Sequence, residues 1–306
     1  MRALVTGGAG FIGSNLVDAL VARGDEVVVL DNFSSGRREH LAGADVVEGD
    51  LRDPDTVRRA ATGVDVVFHQ GAIPSVMASV DDPLTVNAVN VEGTVSVLVA
   101  ALAEEARRVV FASSCAVYGD APEGSSAEDL RPAPISPYAV SKLAGEGYCH
   151  AFWEVHGLET VSLRYFNVFG PRQDPASDYA AVVPRFVTRL LQGEPPMIEG
   201  DGEQSRDFVY VGDVVRANLL AADVDGIGGE VVNIASGYSR TVNELAATLA
   251  RIIGSSVEPI HVDPREGDIR ESAADIGKAQ ELLGLEPQNS FESGLTSTVD
   301  LFREAA

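Results

Sequence analysis

Lysine is nearly missing from this chain of 306 residues, in which Lys142 and Lys278 stand against 21 arginines. Cysteine is as scarce: Cys115 and Cys149 alone are too few for a disulfide framework or a metal cage, so no metal is expected. Basic charge is half the acidic charge, 23 residues against 46, giving a net −23. Such a surface repels nucleic acid and anionic lipid, and neither is an expected partner. No run approaches the ~18 continuous apolar residues of a membrane span. The chain opens directly on a strand pattern and not on a leader, so the expected location is the cytoplasm. There is no internal repeat and no low-complexity tract. What remains is 45% hydrophobic and 23% charged, ordinary for a well-cored enzyme of about two domains. Base composition of the genome can account for arginine in place of lysine. Together with the acidic excess, it points to a salt-rich cytoplasm, where screening relieves self-repulsion. The melting temperature is therefore expected to rise between dilute buffer and molar salt; an unchanged value contradicts this halophilic reading.

Glycine, by contrast, is concentrated near the start, in Thr6-Gly7-Gly8-Ala9-Gly10-Phe11-Ile12-Gly13. Ala3-Leu4-Val5 before it is of strand type, and Phe11, Ile12, Leu16, Val17 and Leu20 recur at helical spacing. Glycines between a strand and a helix let the chain turn tightly and let a pyrophosphate reach the backbone and the free N–H groups of the helix. A plain glycine turn looks the same locally. The second strand, Glu26–Leu30, decides between them by ending in Asp31, near the ~20-residue spacing at which an acidic residue binds a ribose 2′-hydroxyl. Dinucleotide binding is the reading.

Further strand patterns lie at 45–48, 65–68, 108–112 and 160–164, with long helical patterns at about 84–106 and 138–155. Regular alternation of this length predicts an α/β fold with a parallel, doubly wound sheet. Beyond Asn167 the pattern loosens around Gly170-Pro171, Gly193–Pro196 and Gly200-Asp201-Gly202. The expected division is 1–166 for the nucleotide-binding part and 167–306 for a smaller α/β substrate part, partly interleaved with the first. The two long helices either pack in the core or form an intersubunit bundle, and a homodimer is expected.

Tyr138 and Lys142 carry the chemical argument. At i and i+4 near a helix start, their side chains lie on one face. A free tyrosine has a pKa of ~10, and a nearby ammonium favours the phenolate. Lowering it by about 3 units takes roughly 4 kcal/mol, within reach of a partly buried site with a second cation. Seven tyrosines and two lysines can produce such a spacing by coincidence. The glycine turn before it and the serine pair Ser113-Ser114 after the fifth strand supply context.

With these motifs the sequence resembles the extended short-chain dehydrogenase/reductases that act on nucleotide-sugars, and within them the 4-epimerases. The resemblance runs through Thr6–Gly13, Asp31–Gly36, Gly49–Asp53, Asn90–Thr94, Ser113–Gly119, Arg164–Pro171, Gly200–Val211 and Arg265–Asp268. It implies a Rossmann-type sheet holding NAD and a UDP-sugar substrate. Gly7, Gly10, Phe11, Ile12 and Gly13 would cradle the cofactor, with Asp31, Asn32, Ser35 and Gly36 at the adenosine ribose. Asp50 and Leu51 would hold the adenine, and Asn90 the inner side. It implies Tyr138 as the base, Lys142 on the nicotinamide ribose and Ser114 on the sugar hydroxyl being oxidised. Asn167, Arg206 and Arg265 match positions that grip the substrate's diphosphate, where guanidinium forks suit phosphate oxygens. In so acidic a chain, the two arginines taken alone read first as surface ion pairs. Asp31 favours NAD over NADP, because a carboxylate repels a 2′-phosphate; Arg37 and Arg38 suit either that phosphate or a solvated loop.

Dehydratases and decarboxylases of this family carry an acidic residue just after the serine, where this chain has Cys115 and Ala116. Neither can remove a carbon-bound proton. Elimination is disfavoured, and 4-epimerisation between UDP-glucose and UDP-galactose is the expected reaction. A reductase, which would consume NAD(P)H, and a non-catalytic dinucleotide sensor are the alternatives. In 4-epimerases, a residue seven places after the second phosphate arginine walls the sugar's C2 substituent. That place is Ser272; a slip of one gives Glu271 or Ala273, none of them aromatic. UDP-GlcNAc is therefore an expected second substrate.

Overall fold

The computed structural model describes residues 1–121, 124–175, 181–264 and 270–304. Its strands are β1 (Arg2–Thr6), β2 (Glu26–Asp31), β3 (Asp45–Glu48), β4 (Val66–His69), β5 (Arg108–Ser114), β6 (Ser125–Ser126) and β7 (Glu159–Tyr165). Then follow β8 (Asn167–Phe169), β9 (Met197–Glu199), β10 (Ser205–Tyr210), β11 (Glu230–Ile234), β12 (Ser239–Thr241), β13 (Ile260–Val262) and β14 (Ala273–Ala274). The helices are α1 (Phe11–Arg23), α2 (Pro54–Ala61), α3 (Val76–Asp81), α4 (Pro83–Asn87), α5 (Gly93–Ala103) and α6 (Pro137–His156). After them come α7 (Val182–Leu191), α8 (Val211–Asp223), α9 (Val242–Ile253), α10 (Gly277–Leu283) and α11 (Phe291–Glu304).

Seven strands form one sheet in the order β11-β7-β5-β4-β1-β2-β3, every pair parallel. Parallel strands must be covered on both faces, which is why these runs are apolar throughout. Leu4, Val28, Val67 and Val109 join residues of α2, α5 and α6, while Val5, Val29, Phe68 and Val110 join α1, α8 and α10. Alternation within a single strand thus fills two cores.

Six of the seven strands match the patterns read from sequence. The seventh, β11, comes from beyond Asn167 and pairs with β7, entered over Gly228 and Gly229, against which Trp153 of α6 lies. Buried Arg108 of β5 closes this side of the fold: its Nη1 donates to the carbonyls of Ala221, Ala222 and Val224 at the end of α8. Those are carbonyls that a helix end leaves without partners.

The helix expected over 84–106 runs from Pro83 to Ala103 and carries a π-type turn at Ala88–Glu92. It is long and apolar enough to match a membrane span, but Val86, Val97, Leu98 and Ala101 are buried in the fold. A separate core joins Phe169, Phe186, Phe208, Leu245 and Leu295 around the three-stranded sheet β12-β10-β8.

Strand order reverses at β1 and β4, whose carboxyl ends diverge into the crevice where doubly wound sheets bind ligands. Gly7, at φ +66°, passes so close that a Cβ would come 2.6 Å from the Gly71 Cα. A Cβ at Gly13 would meet the Gly7 carbonyl at 2.1 Å. Only glycine allows both approaches.

Candidate active-site cleft

A cleft of ≈ 1030 Å³ opens at these strand ends. That exceeds the ~300–1,000 Å³ usual for one drug-sized ligand and suits a dinucleotide beside a second nucleotide. Gly7, Gly10, Phe11, Ile12 and Gly13 line it, and Gly10 begins α1 without a side-chain cap. The first N–H groups of the helix therefore stay available to an anion. Asp31 ends β2 in the cleft, its carboxylate accepting from the amides of Ala9 (2.9 Å) and Phe33 (2.8 Å). A carboxylate has about four acceptor positions, so capacity remains for ribose hydroxyls. Arg38 is engaged by Glu48 and by the Phe33 ring at 4.3 Å, and Arg37 lies 3.7 Å from Glu39. This corner has the chemistry of a dinucleotide site without a 2′-phosphate.

Asn32, Ser35, Asp50 and Leu51 also line the cleft. Hydrogen bonds from Arg52 hold the Asp50 carboxyl far below the usual range, with a further bond from Asn32 at 3.1 Å. Two further expected cofactor residues are engaged by the chain itself. Gly36 packs against Ala9, and buried Asn90 has its amide occupied by Ile73 N (2.8 Å), Ile73 O (3.1 Å) and Ser141 Oγ (3.0 Å). Asn90 shapes the Ile73 loop and does not line the cleft.

Ser136 caps α6 by accepting from Ala139 N, and Pro137 occupies its first turn, so Tyr138 and Lys142 share the face toward the cleft. Ser114 reaches the same cleft from the end of β5. Lys142 Nζ donates to the Ala112 carbonyl at 2.8 Å and lies 5.2 Å from the Phe111 ring and 6.0 Å from the Tyr138 ring. Burial pushes the Tyr138 phenol up to about 12, against the Ser114 hydrogen bond that lowers it. Burial pushes Lys142 down to about 8. The expected lowering counted a second cation beside the lysine, and in the chain alone desolvation of the phenolate holds the phenol high.

Behind these groups lies a buried charge pair that the sequence reading missed. Glu146, one further turn along α6, accepts from Arg164 Nη2 (2.7 Å) and Nε (2.8 Å) and from Ser113 Oγ. The Arg164 guanidinium lies 4.7 Å from the Tyr118 ring. The spacing 138, 142, 146 was the available signal. Buried His69 bridges Thr6 Oγ1 (2.7 Å) and Thr94 Oγ1 (2.9 Å), and burial and then Lys142 push its pKa down to about 3. A neutral imidazole tying β1 to α5 is a brace, not a proton carrier.

At the other end, Asn167 and Arg206 line the cleft, and Arg206 Nη1 donates to the Ser205 carbonyl at 2.7 Å. Arg265 lies outside the described residues. Ser272 is not among the lining residues: its main chain is held against β10, bonding Ser205 O (3.1 Å) and Asp207 N (2.9 Å). Burial pushes the Cys115 thiol up to about 11, so it holds its proton at neutral pH and supplies no base.

Residues 3–235 match the sequence model of the NAD dependent epimerase/dehydratase family. A relative from Mycolicibacterium smegmatis, described as UDP-glucose 4-epimerase, is 43% identical over 311 aligned positions covering 99% of each chain. Two solved structures each match with a TM-score of 0.96, covering 100% of this chain and 99% of theirs. One is the UDP-glucose 4-epimerase of Thermotoga maritima with UDP-glucose, 42% identical. The other is the UDP-N-acetylglucosamine 4-epimerase of Methanobrevibacter ruminantium M1 with UDP-N-acetylmuramic acid, 41% identical.

Proposed function

The chain belongs to the NAD-dependent epimerase/dehydratase family, and from that premise we propose that it is a UDP-sugar 4-epimerase interconverting UDP-glucose and UDP-galactose. One observation carries the choice of reaction: Tyr138, Lys142 and Ser114 meet in one cleft, while Cys115 and Ala116 stand where elimination would need a carboxylate. NAD held in the cleft would supply a reversible hydride acceptor for the sugar's C4. Tyr138 takes the proton of the 4-hydroxyl and later gives it back. Ser114 orients that hydroxyl by hydrogen bonding, and Lys142 adds a positive charge that favours the phenolate. Asn167, Arg206 and Arg265 hold the diphosphate, so that the 4-keto sugar stays tethered while it presents its other face. Asp31 holds the adenosine ribose, and Asp50 and Leu51 border the adenine. Incubation with UDP-glucose should yield UDP-galactose by NMR with no net absorbance change at 340 nm. Stoichiometric consumption of NADH would make it a reductase instead.

The pH profile follows from Lys142. Its ammonium is the working form and its pKa in the free chain is about 8. The base form of Tyr138, at about 12, gains about tenfold per pH unit, and above pH 8 the loss of the Lys142 ammonium offsets that gain, so kcat/KM should rise about tenfold per unit up to about pH 8 and level above it. A profile that falls about tenfold per unit above pH 8 would contradict the roles.

Ser272, beside β10, does not itself line the cleft, so no side chain at this place closes on the sugar, and an open wall discriminates between hexoses by only ~1–3 kcal/mol. UDP-GlcNAc and UDP-GalNAc should therefore be interconverted as well, and Ser272→Tyr should suppress that pair selectively. Wild type that turns over UDP-glucose but leaves UDP-GlcNAc untouched defeats the argument. The same reading extends to a cytoplasmic homodimer, divided at 166/167 into cofactor and substrate parts. Exposed Val80, Leu84, Val140 and Tyr148 on α3, α4 and α6 supply an apolar face for a second copy, which light scattering would detect.

A further inference from the structure

Helix α6 lies unusually close to the sheet at one point. A Cβ on Gly145 would come 2.4 Å from the Phe111 Cζ of β5, so only glycine permits the approach. The next residue, Glu146, is charged and buried there. Its carboxylate draws its partners from a single rung of the sheet, since Ser113 of β5 and Arg164 of β7 are register partners. Ser113 Oγ and Arg164 Nε (2.8 Å) both donate to Oε1, and Arg164 Nη2 donates to Oε2 at 2.7 Å. The arginine is fixed in turn. It lies 4.7 Å from the Tyr118 ring, whose hydroxyl donates to Asn233 Oδ1 of β11 at 2.7 Å.

Stability does not account for a charge pair at this place. Taking two ions out of water costs about what their attraction returns, and apolar replacements of such pairs are often as stable. What the pair adds is direction. Apolar packing is non-directional, whereas a guanidinium fork on a carboxylate fits in one geometry. The geometry it fixes is the register of α6 on the end of β5. One turn nearer the cleft, Lys142 Nζ donates to the Ala112 carbonyl at 2.8 Å, and a further turn on, Tyr138 shares a hydrogen bond with Ser114. Three turns of the helix thus hold the last three residues of the strand, and the turn at Glu146 is the one held by a full charge on each side.

We propose that Glu146 is a positioning residue for the reaction: clamped between Ser113 and Arg164, it sets the register of α6 that brings the Tyr138 hydroxyl to Ser114 and the sugar. This rests on the reading of Tyr138 as the base. Tyr138 stands eight residues from the clamp, about 12 Å along the axis at ~1.5 Å per residue, so a rotation of ~5° there moves the phenol by about 1 Å. A misplacement of ~1 Å at reacting atoms can cost ~10²-fold. Neither Glu146 nor Arg164 lines the cleft, so the clamp has no hold on the substrate, and its loss falls on turnover and not on binding.

The test is kcat and KM for UDP-glucose, read beside the melting temperature, in two variants. The double variant Glu146→Leu with Arg164→Met removes the clamp without stranding a charge. It should melt near wild type, yet its kcat should fall about tenfold to a hundredfold with KM within about twofold. Ser113→Ala leaves the ion pair in place and cuts its tie to β5, and its kcat should fall about tenfold, again with KM within about twofold. A pair that only stabilised the fold would leave kcat untouched wherever the melting temperature is restored. A kcat within about twofold of wild type in the double variant overturns the proposal, as does a loss confined to KM. Should the double variant melt low, unchanged kcat in Ser113→Ala overturns it instead. Wild type that fails to epimerise UDP-glucose would defeat the reading of the reaction and not that of the clamp.

Discussion

Tyr138→Phe should slow epimerisation about a thousandfold while leaving the fold and the binding of UDP-glucose in place. The substitution keeps the ring, which is buried at the start of α6, and removes only the hydroxyl. General acid–base contributions run to roughly 10²–10⁴, and no other group here can take over. Cys115 is held protonated, His69 is held neutral with both ring nitrogens engaged, and Ser114 is far too weak a base. The measurement is kcat from a coupled assay, beside a Kd for UDP-glucose to show that the site still forms. Turnover near that of wild type would end the proposed role.

Glu146→Ala should cost about 3–5 kcal/mol of stability, because it strands the Arg164 charge in the interior. Burial works against that charge, yet Glu146 outweighs it and raises the arginine's pKa above its ordinary range. Both side chains are nearly solvent-free, at 6% and 4% exposure, so water cannot replace the lost partner. Urea denaturation would read the loss directly. The double variant Glu146→Leu with Arg164→Met should recover most of it, since replacing both members of a buried pair by apolar groups is often neutral. A single variant within about 1 kcal/mol of wild type would show that water enters this region.

The parts legible in the sequence are those written in local period. The glycine turn, the apolar strands and the Tyr138–Lys142 face each depend on residues a few places apart, and they lie where the spacing put them. β11 was not legible: Glu230–Ile234 is a five-residue run beyond the regular alternation, and its partner β7 is some 70 residues earlier. The bonds from the Ile73 loop and Ser141 that engage the Asn90 amide were not legible either, because the motif shows only a polar residue. The burial of Tyr138, which raises its pKa in the chain alone, was illegible for a related reason. Spacing reports a neighbouring charge, while burial is a property of the whole fold.

Trp153, the single tryptophan, sits where α6 meets Gly228 and Gly229, so close that a Cβ on Gly229 would come 2.4 Å from its Cδ1. The indole is therefore a built-in optical reporter on the docking of the sheet's last strand. It lines no part of the cleft. During unfolding, a red shift in its emission dates the departure of β11, the strand brought back from the far half of the chain. Cofactor or sugar binding can be followed at other wavelengths in the same cuvette.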